Sequence, residues 1–76
     1  MTLREKIESL ELSKNTLIGI DYENGSMVVD ETSVNRLMNS NNEKIINSSV
    51  LNVIKGENMW HNMVGESVEY IFIIER

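Results

Sequence analysis

The dipeptide Asn24-Gly25 constrains the fold of this chain more than any other feature of the sequence. Asn-Gly is typical of the two-residue type I′ turn, which joins antiparallel strands because both of its central residues take positive φ. We therefore predict a β-hairpin with strands over residues 16–22 and 26–30. In this register Ile20 lies opposite Val29, and Asp21 lies opposite Val28.

The apolar pattern of the hairpin supports the same register independently. Side chains alternate between the two faces of a strand, so the pairing collects apolar residues on one face and polar residues on the other. The apolar face, which we expect in the core, contains Ile18, Ile20, Tyr22, Met27 and Val29. We expect the opposite face to be largely solvated and acidic. It contains Leu17, Gly19, Asp21, Glu23, Ser26, Val28 and Asp30.

One helix is predicted before the hairpin and one after it. Residues 2–12 begin with the capping-box pair Thr2 and Glu5, and an apolar stripe follows at helical spacing. The stripe consists of Leu3, Ile7 and Leu10. Residues 31–39 are predicted to form a short helix capped by Thr32 or Asp30. Its apolar side contains Val34, Leu37 and Met38.

Residues 43–55 fit two structures. A helix could run from Asn42 to Lys55 and end at Gly56. The β-branched residues and the segment Asn47-Ser48-Ser49 argue against that helix and favour a strand near 50–55. We favour the strand and keep the helix as the alternative.

The remainder of the chain predicts a β-meander with tight turns at Gly56-Glu57 and Gly65-Glu66. Residues 67–75 alternate as a strand whose middle is apolar on both faces. Such a strand is either central and covered on both sides or part of a dimer contact. Residues 1–76 are therefore predicted to form one α+β domain. It consists of an N-terminal helix, a β-hairpin, a short helix and an antiparallel β-meander, with one small sheet packed by helices.

Composition excludes several classes of protein. The chain has no cysteine, so it holds no disulfide, thiol nucleophile or cysteine metal site. Its net charge is −5, and no basic footprint of the kind that binds nucleic acid is present. The longest apolar run, residues 70–74, is far shorter than the roughly 18 residues of a membrane span. We expect a cytoplasmic protein with no membrane contact and no direct nucleic-acid binding.

No catalytic, metal or cofactor signature is present. His61 is the only histidine, and no Gly-x-Ser-x-Gly motif accompanies it. The segment that starts at Asp21 resembles a calcium loop, but Ser26 and Thr32 occupy the positions that need glycine and glutamate. No glycine spacing matches a phosphate-binding loop. We therefore expect no enzyme activity, no metal and no cofactor, with a small enzyme that uses His61 as a weaker alternative.

Two groups of residues are candidates for contact with a partner. The first is acidic and surrounds the hairpin, and it contains Asp21, Glu23, Asp30 and Glu31. It fits either a docking patch for a basic partner or a solvated face that keeps the protein soluble. The second is Trp60 with His61, between two methionines, which suits an interface or a small core equally well.

These features favour a small non-catalytic binding protein that acts through contact with another protein. In size, acidity and lack of cysteine the chain resembles the small acidic proteins of phages and mobile elements that inhibit host defence nucleases, such as anti-CRISPR proteins. The resemblance implies an inhibitor of a host nucleic-acid-handling or defence protein with a basic surface. The alternative is a self-assembling structural or accessory subunit, including a homodimer.

Overall fold

The computed structural model describes residues 1–60 and 67–76, with the side chains of that part other than those of Asp30, residues 56–60 and residue 67. Helices and strands both occur, so the predicted α+β class is confirmed. In chain order the elements are α1 (Leu3–Ser9), β1 (Leu17–Tyr22), β2 (Met27–Ser33), α2 (Val34–Met38), α3 (Glu43–Ile46), β3 (Val50–Trp60) and β4 (Ser67–Ile74).

The strands form one mixed sheet in the order β2-β1-β4-β3. β1 pairs with β2 and β3 pairs with β4 in antiparallel fashion, whereas β1 and β4 run parallel. The strand predicted over residues 67–75 is central, as expected. The predicted antiparallel meander holds only for the pair of β3 and β4. On its other edge β4 pairs with β1, and that pair is parallel. The sheet therefore consists of two antiparallel pairs joined along one parallel seam.

The hairpin forms, but its turn type was predicted wrongly. Gly25 has a φ of 89°, and no positive φ occurs at Asn24. The Gly25 N–H donates to the Tyr22 carbonyl oxygen at 3.0 Å, and the Asn24 side-chain oxygen accepts from the Ser26 N–H at 2.9 Å. The Asn24 side chain thus completes a local turn of its own. The type I′ turn, which needs two positive φ values, is absent.

This turn shifts the pairing near the end of the hairpin. Ile20 pairs with Val29 as predicted, but Asp21 pairs with Met27 and not with Val28. Met27 is consequently 48% exposed, although it was predicted in the core. Val28, predicted on the solvated face, packs partly against the core.

The segments after the hairpin differ from their predicted boundaries. β2 continues to Ser33, whose side chain caps α2 by accepting from the Arg36 N–H at 3.1 Å. The predicted caps Thr32 and Asp30 therefore lie within the strand. The strand favoured near 50–55 is confirmed, and the alternative helix is limited to the single turn of α3.

The predicted turn at Gly56-Glu57 is wrong, because β3 continues to Trp60 with an irregularity in its pairing between Lys55 and Met59. The predicted turn at Gly65-Glu66 lies outside the described residues. The hairpin partners Trp60 and Ser67 close the described part of the β3–β4 pair.

One face of the sheet, which we call the inner face, carries the core. Ile18 and Ile20 of β1 and Phe72 and Ile74 of β4 lie on this face and are fully buried, and Ile20 lies beside Phe72. All three helices contribute to this one cluster. Their buried residues are Leu3 and Ile7 from α1, Val34 and Leu37 from α2, and Ile46 from α3. The described helices therefore pack on the same side of the sheet.

Hydrogen bonds within the N-terminal cap and to the start of β3 hold the first residues of α1 in place. The Thr2 N–H donates to Glu5 Oε1 at 2.9 Å, and the Glu5 N–H donates to Thr2 Oγ1 at 3.2 Å, which confirms the predicted capping box. The Val50 N–H also donates to the Met1 carbonyl oxygen at 2.9 Å. The first residues of the chain therefore lie against the start of β3.

The capping box makes the stability of the protein depend on pH. It lowers the pKa of Glu5 below its ordinary value of 4.5, chiefly through the Thr2 backbone N–H and then through the Thr2 side chain. A carboxyl group with a lowered folded-state pKa stabilises the fold above its unfolded pKa and loses that contribution as the pH falls through the folded pKa. We expect Glu5→Gln to lower the free energy of unfolding in urea at neutral pH, and the difference from wild type to vanish in strong acid.

Glu8→Gln is the matched control, because the Glu8 side chain is exposed on the same helix and takes no part in the N-terminal capping box. Its effect should not show this dependence on pH. An equal loss for Glu5→Gln at neutral and acid pH would contradict the role of its charge.

Gly25 is required by its backbone conformation and not by lack of space. No heavy atom lies within 4 Å of the position that a Cβ would take, but φ is 89°. We expect Gly25→Ala to lower the free energy of unfolding in urea by about 1 kcal/mol. Gly25→Asn should cost less because asparagine tolerates positive φ. A cost for Ser26→Ala as large as that for Gly25→Ala would contradict this account.

Candidate functional site

The second face of the sheet, which we call the outer face, lies opposite the described helices. Strand pairing sets its residues in rows: Gly19 lies beside Ile71, and Ile71 lies beside Ile54. The next row joins Met27, Asp21, Ile73 and Asn52. Leu17 and Glu69 complete the outer face by alternation along β1 and β4.

The outer face is apolar at its centre. Ile71 is 8% exposed, Ile54 is 42% exposed, and Ile73 and Leu17 are half-buried. None of these four side chains belongs to the cluster that the helices form with the inner face. The described helices therefore do not account for the burial of Ile71, and Ile54 is the most exposed of these four side chains.

Acidic residues occur on both sides of the sheet, whereas basic residues occur on one side only. Asp21 and Glu69 belong to the outer face, and Glu75 continues its alternation one residue beyond β4. No lysine or arginine belongs to the outer face. Five of the seven basic residues lie on the helices or before β1, namely Arg4, Lys6, Lys14, Arg36 and Lys44.

The other two basic residues are held on the inner side by tyrosine rings. Lys55 Nζ lies 5.9 Å from the centre of the Tyr70 ring, and the Arg76 guanidinium carbon lies 5.7 Å from that of Tyr22. Both tyrosines pack against the core cluster. Since a cation over a ring face is stabilised by about 0.5–1 kcal/mol at an exposed site, these contacts favour positive charge away from the outer face.

The acidic residues singled out in the sequence do not form one patch. Asp21 is half-buried on the outer face, whereas Glu23 is exposed at the hairpin turn, where its N–H donates to the Ile74 carbonyl oxygen at 3.2 Å. Glu31 is half-buried in a groove of about 280 Å³ that Arg36 and Leu37 also line. The predicted patch is thus divided between the outer face, the turn and the α2 side of β2.

The remaining predicted site residues are described only in part. Asp21 and Asp30 were predicted on one face by a pairing that set Asp21 opposite Val28, but Asp21 pairs with Met27. The Asp30 side chain lies outside the described part of the chain. Trp60 is described only through its backbone, which pairs with residue 67 at the end of the β3–β4 ladder. His61 lies outside the described residues.

The sequence reasoning missed the contribution of Ile54, Ile71 and Glu69 to this surface. The two-sided apolar pattern of residues 67–75 did indicate that the second side of β4 needed an explanation. The alignment of Gly19 with Ile71 depends on the parallel seam, which no local signal in the sequence indicates.

A second concave feature lies at the free edge of β3. Met1, Lys6 and residues 50–53 line a groove of about 340 Å³. The Asn52 side-chain oxygen accepts from the Val53 N–H at 2.8 Å. Within the described residues no group of three or more histidine, aspartate or glutamate side chains could hold a metal ion. No helix in that part of the chain is long and apolar enough to cross a membrane.

Comparison with protein-family models, curated proteins and solved structures found no match to this chain.

The two neighbouring residues Ile54 and Val53 test which face of β3 is covered. Ile54→Thr should change the free energy of unfolding by less than about 0.5 kcal/mol, because the side chain is already 42% exposed. Val53→Thr should cost about 1–2 kcal/mol, because Val53 packs against the core and the new hydroxyl group loses water. Urea denaturation measures both values. Equal costs would show that Ile54 is covered as closely as Val53.

Proposed function

We propose that this chain is a non-catalytic binding protein that covers a basic surface of another protein with the outer face of its sheet. The observation that carries the proposal is the composition of that face. Apolar residues occupy its centre, carboxylates border it, and all seven basic residues of the chain lie elsewhere. Apolar centres with polar rims are the usual organisation of protein interfaces.

The two components of the outer face support different parts of binding. Burial of apolar surface contributes about 25 cal/mol per Å², so the exposed part of the Ile54 side chain favours a stable complex. Carboxylates at the border attract basic surfaces over longer distances and increase the association rate. The repulsion between two carboxylates about 7 Å apart in water is only about 0.6 kcal/mol. The free protein therefore tolerates an acidic border at little cost.

We further propose that the protein acts in the cytoplasm as an inhibitor, of the kind made by phages and mobile elements, against a host nucleic-acid-handling or defence protein. Proteins that bind nucleic acid carry lysine and arginine that neutralise phosphates. An acidic border around an apolar centre is complementary to such a surface. The inhibitor would exclude nucleic acid by occupying its site, so no catalytic residue is needed.

The proposal is tested by capturing partners from a native host with tagged protein and then measuring the affinity for the partner that is identified. We expect Ile54→Asp to weaken the complex at least tenfold, because it places a charge in the apolar centre of the interface. Leu51→Asp is the matched control. Leu51 is on the same strand and 50% exposed, but it lines the groove at the free edge of β3.

Several results would contradict the proposal. Loss of the partner with Leu51→Asp but not with Ile54→Asp would place the interface at the edge of β3. A wild-type dimer in light scattering that Ile54→Asp dissociates would support the alternative of a self-assembling subunit. A turnover activity that His61→Ala abolishes would support the enzyme alternative.

A further inference from the structure

We infer that the free edge of β3 is a self-association surface that the side chain of Asn52 keeps closed. The occupant that fits this edge is the same edge of a second copy of the chain. The strand order, the sequence of residues 50–55 and the hydrogen bonds at the start of β3 support this inference. It goes beyond the proposed function, which uses the outer face of the sheet and not the backbone edge of β3.

The position of β3 in the sheet decides what kind of partner can bind there. β3 is an edge strand of the four-stranded sheet. Among the described residues it pairs with β4 on one side, and on the other side Thr2 forms a bridge to Ser49, just before β3. An edge strand presents backbone N–H and carbonyl groups to a further strand. A partner that uses these groups is itself extended, so the edge selects a strand.

The sequence of this edge favours pairing with an identical segment. Residues 50–55 read Val-Leu-Asn-Val-Ile-Lys, with no proline, no glycine and one charge, at Lys55. Segments of about six residues with high β propensity and low charge are typical of strands that pair with copies of themselves. The side chains of Leu51 and Ile54 are exposed, so they remain accessible to a second copy.

The backbone groups of Val53 face the free edge. The Val50 N–H donates to the Met1 carbonyl oxygen at 2.9 Å, so it points away from β4. Backbone groups alternate between the two edges of a strand. The irregular pairing between Val50 and Asn52 inserts one extra residue toward β4. The next N–H group that faces the free edge is therefore that of Val53.

The side chain of Asn52 occupies this N–H group. Asn52 is exposed, and its side-chain oxygen accepts from the Val53 N–H at 2.8 Å. Such a local side-chain hydrogen bond competes with the hydrogen bonds of a strand ladder. Because Met1 already binds the Val50 N–H, both N–H groups that face the free edge over residues 50–53 are bonded within the chain.

Loss of the Asn52 side-chain oxygen would free the Val53 N–H for a second copy. Two copies related by a twofold axis use the same patch on both subunits. With Val53 opposite the partner's Val53, each N–H donates to the other carbonyl oxygen in an antiparallel pair. The pair covers residues 51–55, because Met1 occupies the edge at Val50. The two Lys55 residues lie at opposite ends of this pair, so their charges do not meet.

Self-association of the full chain is measured by sedimentation over a range of concentrations. We expect Asn52→Ala to form dimers at concentrations at least tenfold lower than those at which the wild type does. Asn41→Ala is the matched control, because it makes the same change at an exposed residue between α2 and α3. It should sediment like the wild type.

Amide hydrogen exchange at Val53, followed by NMR, tests the hydrogen bond itself. In dilute solution the Val53 amide should be protected in the wild type and exchange faster in Asn52→Ala. Protection should return in Asn52→Ala as the concentration rises. Asn52→Asp keeps a side-chain oxygen, so we expect it to remain monomeric with a protected Val53 amide. Exchange at Phe72, which is fully buried on β4, shows whether each variant is folded.

Several results would overturn the inference. Folded Asn52→Ala that sediments like the wild type is one, and equal association of Asn41→Ala is another. Loss of Val53 protection in Asn52→Asp would show that the side-chain oxygen does not hold the N–H. Dimers protected at positions other than residues 51–55 would place the contact elsewhere. Unfolding of Asn52→Ala would also count against it, because an exposed side chain that only closes an edge is not needed for folding.

Discussion

The structure depends on the burial of one apolar layer, formed by Ile18 and Ile20 on β1 and by Phe72 and Ile74 on β4. The three helices have only seven, five and four residues. Helices so short are not stable alone in water, so they form because this layer supports them. In return they cover it completely. The described helices of this 76-residue chain all pack on one side of the sheet. No described helix packs on the other side.

The distribution of charge follows from the same arrangement. Five of the basic residues lie on the helices or before β1, and the other two, Lys55 and Arg76, extend over tyrosine rings that pack against the core. The helical side also carries carboxylates, such as Glu5 and Glu8 on α1, so opposite charges occur together there. The outer face has carboxylates and no lysine or arginine. The proposed function uses this difference, because a basic partner meets no like charge on the outer face.

Local signals in the sequence predicted local structure well. The capping box at Thr2 and the pairing of Ile20 with Val29 each depend on residues close together in the chain. The turn type was missed because the Asn24 backbone does not adopt a positive φ. Its side-chain oxygen instead accepts a hydrogen bond from the Ser26 N–H. The acidic residues were grouped because they are near one another in the sequence. The shifted pairing of β1 with β2 cannot be read from the sequence. Ile54 was missed because its neighbours on β4 are assigned only by the folded sheet.

The parallel seam between β1 and β4 has a consequence for how the chain reaches this structure. Each antiparallel pair joins segments that are near in sequence, whereas Ile18 meets Tyr70 across about fifty residues, and long closures cost entropy before their contacts form. The two pairs can therefore form independently, while the seam forms only when both are in place. The apolar layer includes residues from both sides of the seam, so neither antiparallel pair has a complete core by itself. Separation of β1 from β4 would divide this core, so we expect the two halves to unfold together.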